Sequence, residues 1–170
     1  MRKLIGFAKQ FTKENIPEIS LAHKTGRQYF LISDDLAKDL ADLKKALKTE
    51  PYSAGMLLGE MVNGKFRASF PFLDILAKHN PNKAVINRKG ETLFLYGNTI
   101  LEESIILSTV GTGTVIVMNE QNEVLGYGEM KTAREKTIIT NEFNRSDFLR
   151  RETYKSKFDK KKKVKLKNKN

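Results

Sequence analysis

The 170-residue sequence contains no cysteine. This excludes disulfide bonds, thiolate nucleophiles and zinc sites built on cysteine, and it is compatible with a cytoplasmic protein. There is also no apolar run near the roughly 20 residues that a membrane-spanning helix needs. The N-terminal segment resembles the start of a signal peptide, but Lys9 and Lys13 interrupt it and a small-residue cleavage site is missing. We therefore expect this segment to stay on the protein as a helix, and we expect a cytoplasmic location.

Groups that could support catalysis are also scarce. The two histidines, His23 and His79, lie in polar or turn-rich stretches that are typical of the surface. The pairs Asp34-Asp35 and Glu102-Glu103 fall at predicted helix ends, where acids interact with the helix dipole, and adjacent helical side chains diverge too far to share an ion easily. Gly111-Thr112-Gly113 has no helix pattern or lysine after it, so it is typical of a turn between strands. The sequence therefore predicts no catalytic residue, no metal site and no cofactor.

Positive charge is abundant and is concentrated at the C-terminus. The net charge is +11, and residues 154–170 contain nine lysines and one acidic residue. Such a segment attracts polyanions through counterion release, whatever their sequence. A membrane-binding helix would need an apolar face, and the lysine run offers only Val164 and Leu166. Nucleic acid is therefore favoured over a membrane, and residues 160–170 are expected to form a disordered lysine-rich tail.

The first part of the chain, residues 1–84, has the pattern of an α+β domain. Ser33 is a predicted N-cap for a helix with an apolar face that we expect to be buried. Asn63-Gly64 predicts a hairpin, because both central residues of a type I′ turn need positive φ. The apolar face of the Ser33 helix comprises Leu36, Ala37, Leu40, Leu43 and Leu47. The other predicted elements are an N-terminal helix that Pro17 ends, strands over 28–32, 55–62 and 65–70, and a helix over 72–79.

The part from residue 85 to residue 159 changes to short β-rich runs separated by Gly and Asn. Such spacing is typical of a small barrel or sandwich. The predicted strands cover residues 92–96, 105–107, 114–118, 124–128 and 137–143. Ser146 is a predicted N-cap for a last helix that begins at Asp147. We expect two compact domains that meet near residues 80–90.

The predicted C-terminal helix combines cations with aromatic side chains. Arg150, Tyr154 and Lys157 have helical spacing, and Arg151 and Lys155 fall on the neighbouring row. Arginine suits phosphate oxygens and stacks on bases, and aromatic residues among cations suit single-stranded RNA. Alternatively, the aromatic side chains only pin the helix to the barrel and the lysines aid solubility. We interpret four residues as RNA-binding: Arg150, Arg151, Lys155 and Lys157.

Several motifs at fixed distances carry a family resemblance. They are Leu93-Phe94-Leu95-Tyr96-Gly97-Asn98, Leu101, Leu125-Gly126-Tyr127-Gly128 and the run from Asp147 to Glu152. Upstream matches are Gly59-Glu60, Lys65-Phe66-Arg67, Leu73-Asp74 and Leu76-Ala77. Together these motifs resemble the Nip-seven family of ribosome-biogenesis factors, in its archaeal form.

The resemblance implies an N-terminal α+β domain with an antiparallel sheet and a C-terminal PUA domain, which is a β pseudo-barrel. It implies a non-catalytic role in pre-rRNA processing and large-subunit assembly. The expected partners are pre-ribosomal RNA, in single-stranded uridine-rich segments, and other assembly proteins that contact the N-terminal domain. In archaeal members RNA contact belongs to the basic end of the PUA domain, and the matching positions here are Arg150, Arg151, Lys155 and Lys157.

Two alternatives remain open. The first is an RNA-modifying enzyme, or its accessory subunit, that holds RNA through a PUA domain. The second is an adaptor whose first domain docks on other assembly factors, which an exposed apolar patch there would favour. Gly97, expected to open a helix after a strand, and Gly128, within a strand, are interpreted as conformational requirements, with proximity to RNA as the alternative.

Overall fold

The computed structural model describes residues 1–48, 53–133 and 135–146. Its elements in chain order are α1 (Arg2–Ala8), β1 (Ala22–Thr25), β2 (Gln28–Leu31), α2 (Asp34–Leu47), β3 (Met56–Val62), β4 (Lys65–Ala68), α3 (Phe70–Leu76), β5 (Lys83–Ile86), α4 (Arg88–Leu95), β6 (Ile100–Leu101), β7 (Ile105–Ser108), β8 (Gly113–Met118), β9 (Val124–Ala133) and β10 (Lys136–Asn144). Short 3₁₀ helices cover Pro17–Leu21 and Glu102–Ser104.

The strands form two sheets. The first sheet has the order β1-β2-β3-β4 and is antiparallel throughout. Its Asn63-Gly64 turn has φ values of 49° and 76°, which confirms the predicted hairpin. The second sheet has the order β6-β10-β9-β8-β5-β7, and only β5 and β8 run parallel. The α+β class with a C-terminal β pseudo-barrel is thereby confirmed.

Strand β8 lies at the centre of the protein and is buried on both faces. Ile116 and Met118 face a core that includes Phe7 and Phe11 from the N-terminal segment. Val115 and Val117 face the opposite side, where Phe94 of α4 packs. Tyr127 of β9 also meets the rings of Phe7 and Phe11 edge-on, with centroids 5.4 and 5.7 Å apart. Full burial of each such side chain contributes about 1.5–3 kcal/mol, so this shared core fixes the two sheets relative to each other.

The predicted buried face of α2 is wrong. Ser33 caps the helix as predicted, since its hydroxyl accepts a hydrogen bond from Leu36 N at 3.3 Å. None of the 14 residues of α2 is buried, however, and Leu43 and Leu47 are 47% and 60% exposed. Helical periodicity shows that a helix is amphipathic, but it does not show that another element covers the apolar face. The cap, the acidic first turn and the basic last turn stabilise α2 locally.

The predicted strand over residues 92–96 is also wrong, because these residues belong to α4 and its C-terminus. Asn87 caps α4 by accepting a hydrogen bond from Gly90 N at 2.9 Å. Gly97 has a φ of 83° and closes the helix, so it does not open one. An apolar and aromatic run is typical of strands, but here burial of Phe94 against the second sheet decides the structure. The strands predicted over 105–107, 114–118, 124–128 and 137–143 are confirmed as β7 to β10.

The segment after α1 is tied to the end of α3 by Glu18 and His79. The prediction that Pro17 ends the N-terminal helix is wrong, because α1 already ends at Ala8 and Pro17 begins a 3₁₀ helix. His79 Nε2 lies 3.0 Å from Glu18 Oε2, and the carbonyl of His79 accepts a hydrogen bond from the Thr12 hydroxyl at 2.8 Å. Burial raises the pKa of Glu18, but the backbone hydrogen bond of that residue and the contact with His79 outweigh burial, so the pKa is lowered. His79 therefore has a structural role, while His23 is exposed as predicted.

We expect Glu18→Gln to remove a contribution to stability that is present near neutral pH and absent in acid. A carboxyl with a lowered folded-state pKa stabilises the fold above its unfolded pKa, and this contribution is lost as the pH falls through the folded pKa. Because the side chain is partly exposed, the variant should be about 1 kcal/mol less stable at most near neutral pH. Urea unfolding at several pH values measures this difference. His79→Asn should produce a similar loss, and a difference that persists in acid would contradict the linkage.

Candidate nucleic-acid interface

The four predicted RNA-binding residues, Arg150, Arg151, Lys155 and Lys157, lie outside the described residues, as do the helix predicted from Asp147 and the lysine-rich tail. The structure does fix where the segment that carries them begins. Ser146 is the last described residue, and Arg150 follows four residues later. A fully extended chain spans at most about 3.6 Å per residue, so the Cα atoms of Ser146 and Arg150 are within about 14 Å. Any RNA-binding site that includes Arg150 therefore begins within about 14 Å of Ser146.

Polar side chains at the end of β10 bind the C-terminal carbonyls of α4. Asn141 and Asn144 donate from their Nδ2 atoms to the carbonyl of Phe94, at 2.6 and 2.9 Å. The hydroxyl of Ser146 donates to the carbonyl of Leu95. The carbonyl of Phe94 also accepts a hydrogen bond from Gly97 N at 2.9 Å, so backbone and side-chain donors together satisfy the C-terminal end of α4. Asn144 is only 2% exposed. The end of β10 is consequently anchored at the end of α4, and residues 147–159, which we call the basic segment, continue from it.

Tyr96 lies beside this anchor and is 75% exposed. In a helix, residues two positions apart point in nearly opposite directions, so Phe94 packs inward and Tyr96 faces solvent. An exposed ring can stack on a base, and such stacking contributes about 1–3 kcal/mol. The sequence prediction missed Tyr96 because it interpreted residues 92–96 as a strand. The signal that could have found it is helical spacing from the Asn87 cap.

Arg145 is held by the fold and does not resemble a free phosphate ligand. Its Nε donates to the carbonyl of Val124 at 2.6 Å, and its guanidinium lies 4.9 Å from the centroid of the Phe70 ring. Its Nη2 atom is also 3.6 Å from Asp74 Oδ1. Arg145 therefore fastens the end of β10 to α3, which is part of the first half of the chain.

A groove of about 930 Å³ lies between α3 and the second sheet, and Arg145 and Ser146 form part of its wall. We call it the α3 groove. Its other lining residues are Asp74, Ala77, Lys78, Lys83, Glu91, Leu95, Met118, Asn122, Glu123, Val124 and Leu125. These residues come from five separate stretches of the chain, so no sequence motif could have identified the groove.

Within residues 1–48, 53–133 and 135–146, no group of three or more histidine, aspartate or glutamate side chains is placed to hold a metal ion. No described helix is long and apolar enough to cross a membrane.

Comparison with known proteins finds a family match in the second half of the chain. Residues 82–153 match the model of the UPF0113 PUA domain. The chain is 31% identical over 110 residues to the UPF0113 protein of Archaeoglobus fulgidus, covering 59% of this chain and 63% of that protein. It is 35% identical over 80 residues to the 60S ribosome subunit biogenesis protein NIP7 of Saccharomyces cerevisiae, covering 45% of this chain and 44% of that protein.

The matches span less than two thirds of either relative's length. The matched range of the PUA model nevertheless includes the whole second sheet, the anchor at Asn144 and Ser146, and the pair Arg150 and Arg151. Similarity to an archaeal protein agrees with the archaeal type expected from the motifs. Residues 82–153 therefore match the UPF0113 PUA domain family, and the similarity to NIP7 confirms the resemblance to the Nip-seven family.

Proposed function

We propose that this protein is a non-catalytic RNA-binding factor that acts in pre-rRNA processing and in assembly of the large ribosomal subunit. It contacts single-stranded, uridine-rich segments of pre-ribosomal RNA through Arg150, Arg151, Lys155 and Lys157. The observation that carries this proposal is the PUA domain match over residues 82–153, which ends within the basic segment. Support for the ribosomal role comes from the yeast relative, which is described as a 60S subunit biogenesis protein.

The surroundings of the anchor support RNA contact at this end of the PUA domain. The hydrogen bond from the Ser146 hydroxyl to the carbonyl of Leu95 holds the chain before the basic segment next to the residue that precedes Tyr96. The ring of Tyr96 is exposed. Arginine and lysine neutralise phosphates, and an aromatic ring stacks on bases regardless of sequence. A strand held by Arg150 and Arg151 therefore has a stacking surface within reach. The lysines at positions 160–170 add affinity that depends on charge alone.

We propose that the protein has no catalytic activity, and the residues that line a cavity in the first half of the chain support this. A cavity of about 450 Å³ lies there beside α1; its titratable side chains are Lys9 and Glu14, and the N-terminal residue Met1 also lines it. Glu14 accepts a hydrogen bond from Asn80 Nδ2 at 2.7 Å, which suits a structural role. An enzyme that modifies RNA would need a positioned acid, base or nucleophile in such a cavity. We also propose a cytoplasmic location, with which the absence of cysteine from the sequence is compatible.

When the protein is mixed with pre-ribosomal RNA fragments under native conditions, we expect binding without chemical change to the RNA. Electrophoretic mobility measures the binding, and mass spectrometry of the recovered RNA measures any change of its nucleotides. Lys9→Ala and Glu14→Gln serve as matched variants of the first-half cavity. A modified or cleaved nucleotide that disappears with either variant would overturn the proposal in favour of an RNA-modifying enzyme.

A further inference from the structure

We propose that the α3 groove holds one nucleotide of the bound RNA strand, and that this nucleotide carries a base with an exocyclic amino group. The inference rests on the proposed RNA-binding function and adds a second contact site to it. The base lies on the apolar floor of the groove, and its phosphate lies at Lys78 and Lys83. This site is separate from the predicted residues at positions 150–157, which contact the strand as it leaves the groove.

The size and floor of the α3 groove suit a flat base. Its volume of about 930 Å³ lies within the range of about 300–1,000 Å³ that is usual for small-molecule sites. The floor is made by side chains of β8 and β9 that are almost fully buried, namely Met118, Val124 and Leu125. A base placed on them would remove its apolar faces from water. Ser146, the last described residue before the basic segment, also lines the groove.

Two lysines on the rim are suited to a phosphate. Lys78 follows α3 and Lys83 begins β5, and both also line an adjoining cavity of about 390 Å³. Within the described part of the chain, neither ammonium forms a salt bridge, although Lys78 is close enough to Glu18 to help lower the pKa of that carboxyl. A lysine ammonium is a compact point charge that binds phosphate oxygens without a fixed geometry. The pair therefore offers two cations to one stretch of RNA backbone.

The carboxylates of the groove determine which bases fit. Asp74 lies 3.6 Å from Arg145 Nη2, and Glu123 accepts a hydrogen bond from Asn119 Nδ2 at 2.7 Å. The backbone N–H of Glu91, in the first turn of α4, donates to the carbonyl of Asn87, while its carboxylate forms no hydrogen bond or salt bridge to any described residue. Its carboxylate can accept a hydrogen bond from an exocyclic amino group. Adenine, cytosine and guanine carry such a group and uracil does not, so the groove selects one amino-bearing base in a strand that is otherwise rich in uridine.

The affinity test compares a short all-uridine RNA with the same RNA that carries one central adenosine. Fluorescence anisotropy with the full-length protein should show that the adenosine strand binds about tenfold more tightly, because a hydrogen bond to a carboxylate is stronger than one between neutral groups. Glu91→Gln should bring the two affinities close together. Lys78→Ala with Lys83→Ala should reduce the salt slope for the adenosine strand by about 1.4, at about 0.7 per phosphate contact. Lys13→Ala with Lys24→Ala removes the same charge at exposed sites elsewhere and should affect both RNAs alike.

A second readout reports insertion directly. With 2-aminopurine at the central position, binding should change the fluorescence of that base as it leaves its neighbours and enters the groove. Ala77→Phe fills the groove without changing its charge, and it should abolish the fluorescence change while leaving the affinity for the all-uridine RNA intact. Circular dichroism and thermal unfolding verify that each variant is folded.

The outcomes separate the groove from the proposed function. If Arg150→Ala with Arg151→Ala abolishes binding while the groove variants change nothing, the PUA site stands and the groove inference is wrong. An adenosine preference that survives both Glu91→Gln and Ala77→Phe would also overturn it. Adenosine monophosphate that binds as tightly as the RNA strand, in a manner that depends on Lys78 and Lys83, would instead make the groove a site for free nucleotides. If the wild-type protein binds no RNA, both proposals fail.

Discussion

Replacing Gly126 by alanine is expected to destabilise the protein by about 3 kcal/mol or more. Gly126 lies in β9 opposite Asn144 of β10 and has a φ of 152°. A Cβ atom there would collide with the carbonyl oxygen of Phe143 and would lie 2.9 Å from the Cα atom of Asn144. Both contacts are with backbone atoms, so no side-chain movement can relieve them.

The strands around Gly126 cannot easily separate to make room. Asn144 is held to α4 through the carbonyl of Phe94, and Arg145 N donates to the carbonyl of Leu125 at 3.0 Å. On its other side, Gly126 pairs with Val117 of the buried strand β8. Movement of β10 would therefore break the anchor, and movement of β9 would disturb the core. The total stability of a domain is about 5–15 kcal/mol, so the loss is a large fraction of it.

Urea unfolding monitored by circular dichroism measures the effect, and Gly111→Ala is the matched control. A Cβ atom at Gly111 would meet nothing within 4 Å, so that variant should change stability by less than about 0.5 kcal/mol. Gly128→Ala should resemble Gly126→Ala, since its Cβ would collide with the carbonyl of Thr140. If Gly126→Ala unfolds at the same urea concentration as the wild type, β9 and β10 can separate enough to accept a side chain, and the prediction is wrong.

These two glycines show what a sequence motif can reveal. The string Leu125-Gly126-Tyr127-Gly128 is part of the family resemblance, and the conformational requirement predicted at Gly128 is explained by a close approach of the backbone of β10. The motif is explained by physical constraints: two positions are too crowded for a side chain, and Tyr127 between them joins the core with Phe7 and Phe11. Features set by local geometry could be predicted in this way, as the Asn63-Gly64 turn also could.

Features set by tertiary contact could not be predicted. Residues 92–96 fit a strand by composition, and packing of Phe94 against the second sheet, together with the Asn87 cap, makes them helical. The apolar stripe of α2 has the correct spacing for burial, yet Leu43 and Leu47 are exposed because no described element covers them. The α3 groove brings together Lys78, Glu91 and Glu123 from distant stretches, and no spacing rule joins them.

The largest expected effect on function comes from the basic segment. We expect Arg150→Ala with Arg151→Ala to weaken binding of single-stranded RNA more than Lys160→Ala with Lys161→Ala, although each pair removes two positive charges. Guanidinium groups form paired hydrogen bonds to phosphate and stack on bases, whereas lysine contributes a point charge. The Cα atom of Arg150 is also within about 14 Å of that of Ser146, and the Ser146 hydroxyl donates to the carbonyl of Leu95, next to Tyr96, so the arginines act on a strand that the fold positions.

Salt dependence separates the arginine-containing segment from the tail. Each phosphate neutralised on single-stranded RNA contributes about −0.7 to the slope of log affinity against log salt. If Arg150, Arg151, Lys155 and Lys157 make about four contacts, they give a slope near −2.8, and about a fourfold rise in salt weakens binding about fifty-fold. Deletion of residues 160–170 should lower both affinity and slope but leave any base preference unchanged, because lysines in such a tail read charge and not bases.

Fluorescence anisotropy with a short uridine-rich RNA at several salt concentrations distinguishes these contributions. The double arginine variant should lose about 1.4 from the slope, and it should also reduce discrimination between RNA sequences, since loss of guanidinium stacking affects bases as well as phosphates. The tail deletion should change only the slope and the overall affinity. If the double arginine variant binds like the wild type while the tail deletion abolishes binding, RNA contact belongs to the lysine tail, and the assignment of Arg150 and Arg151 to the RNA-binding site is wrong.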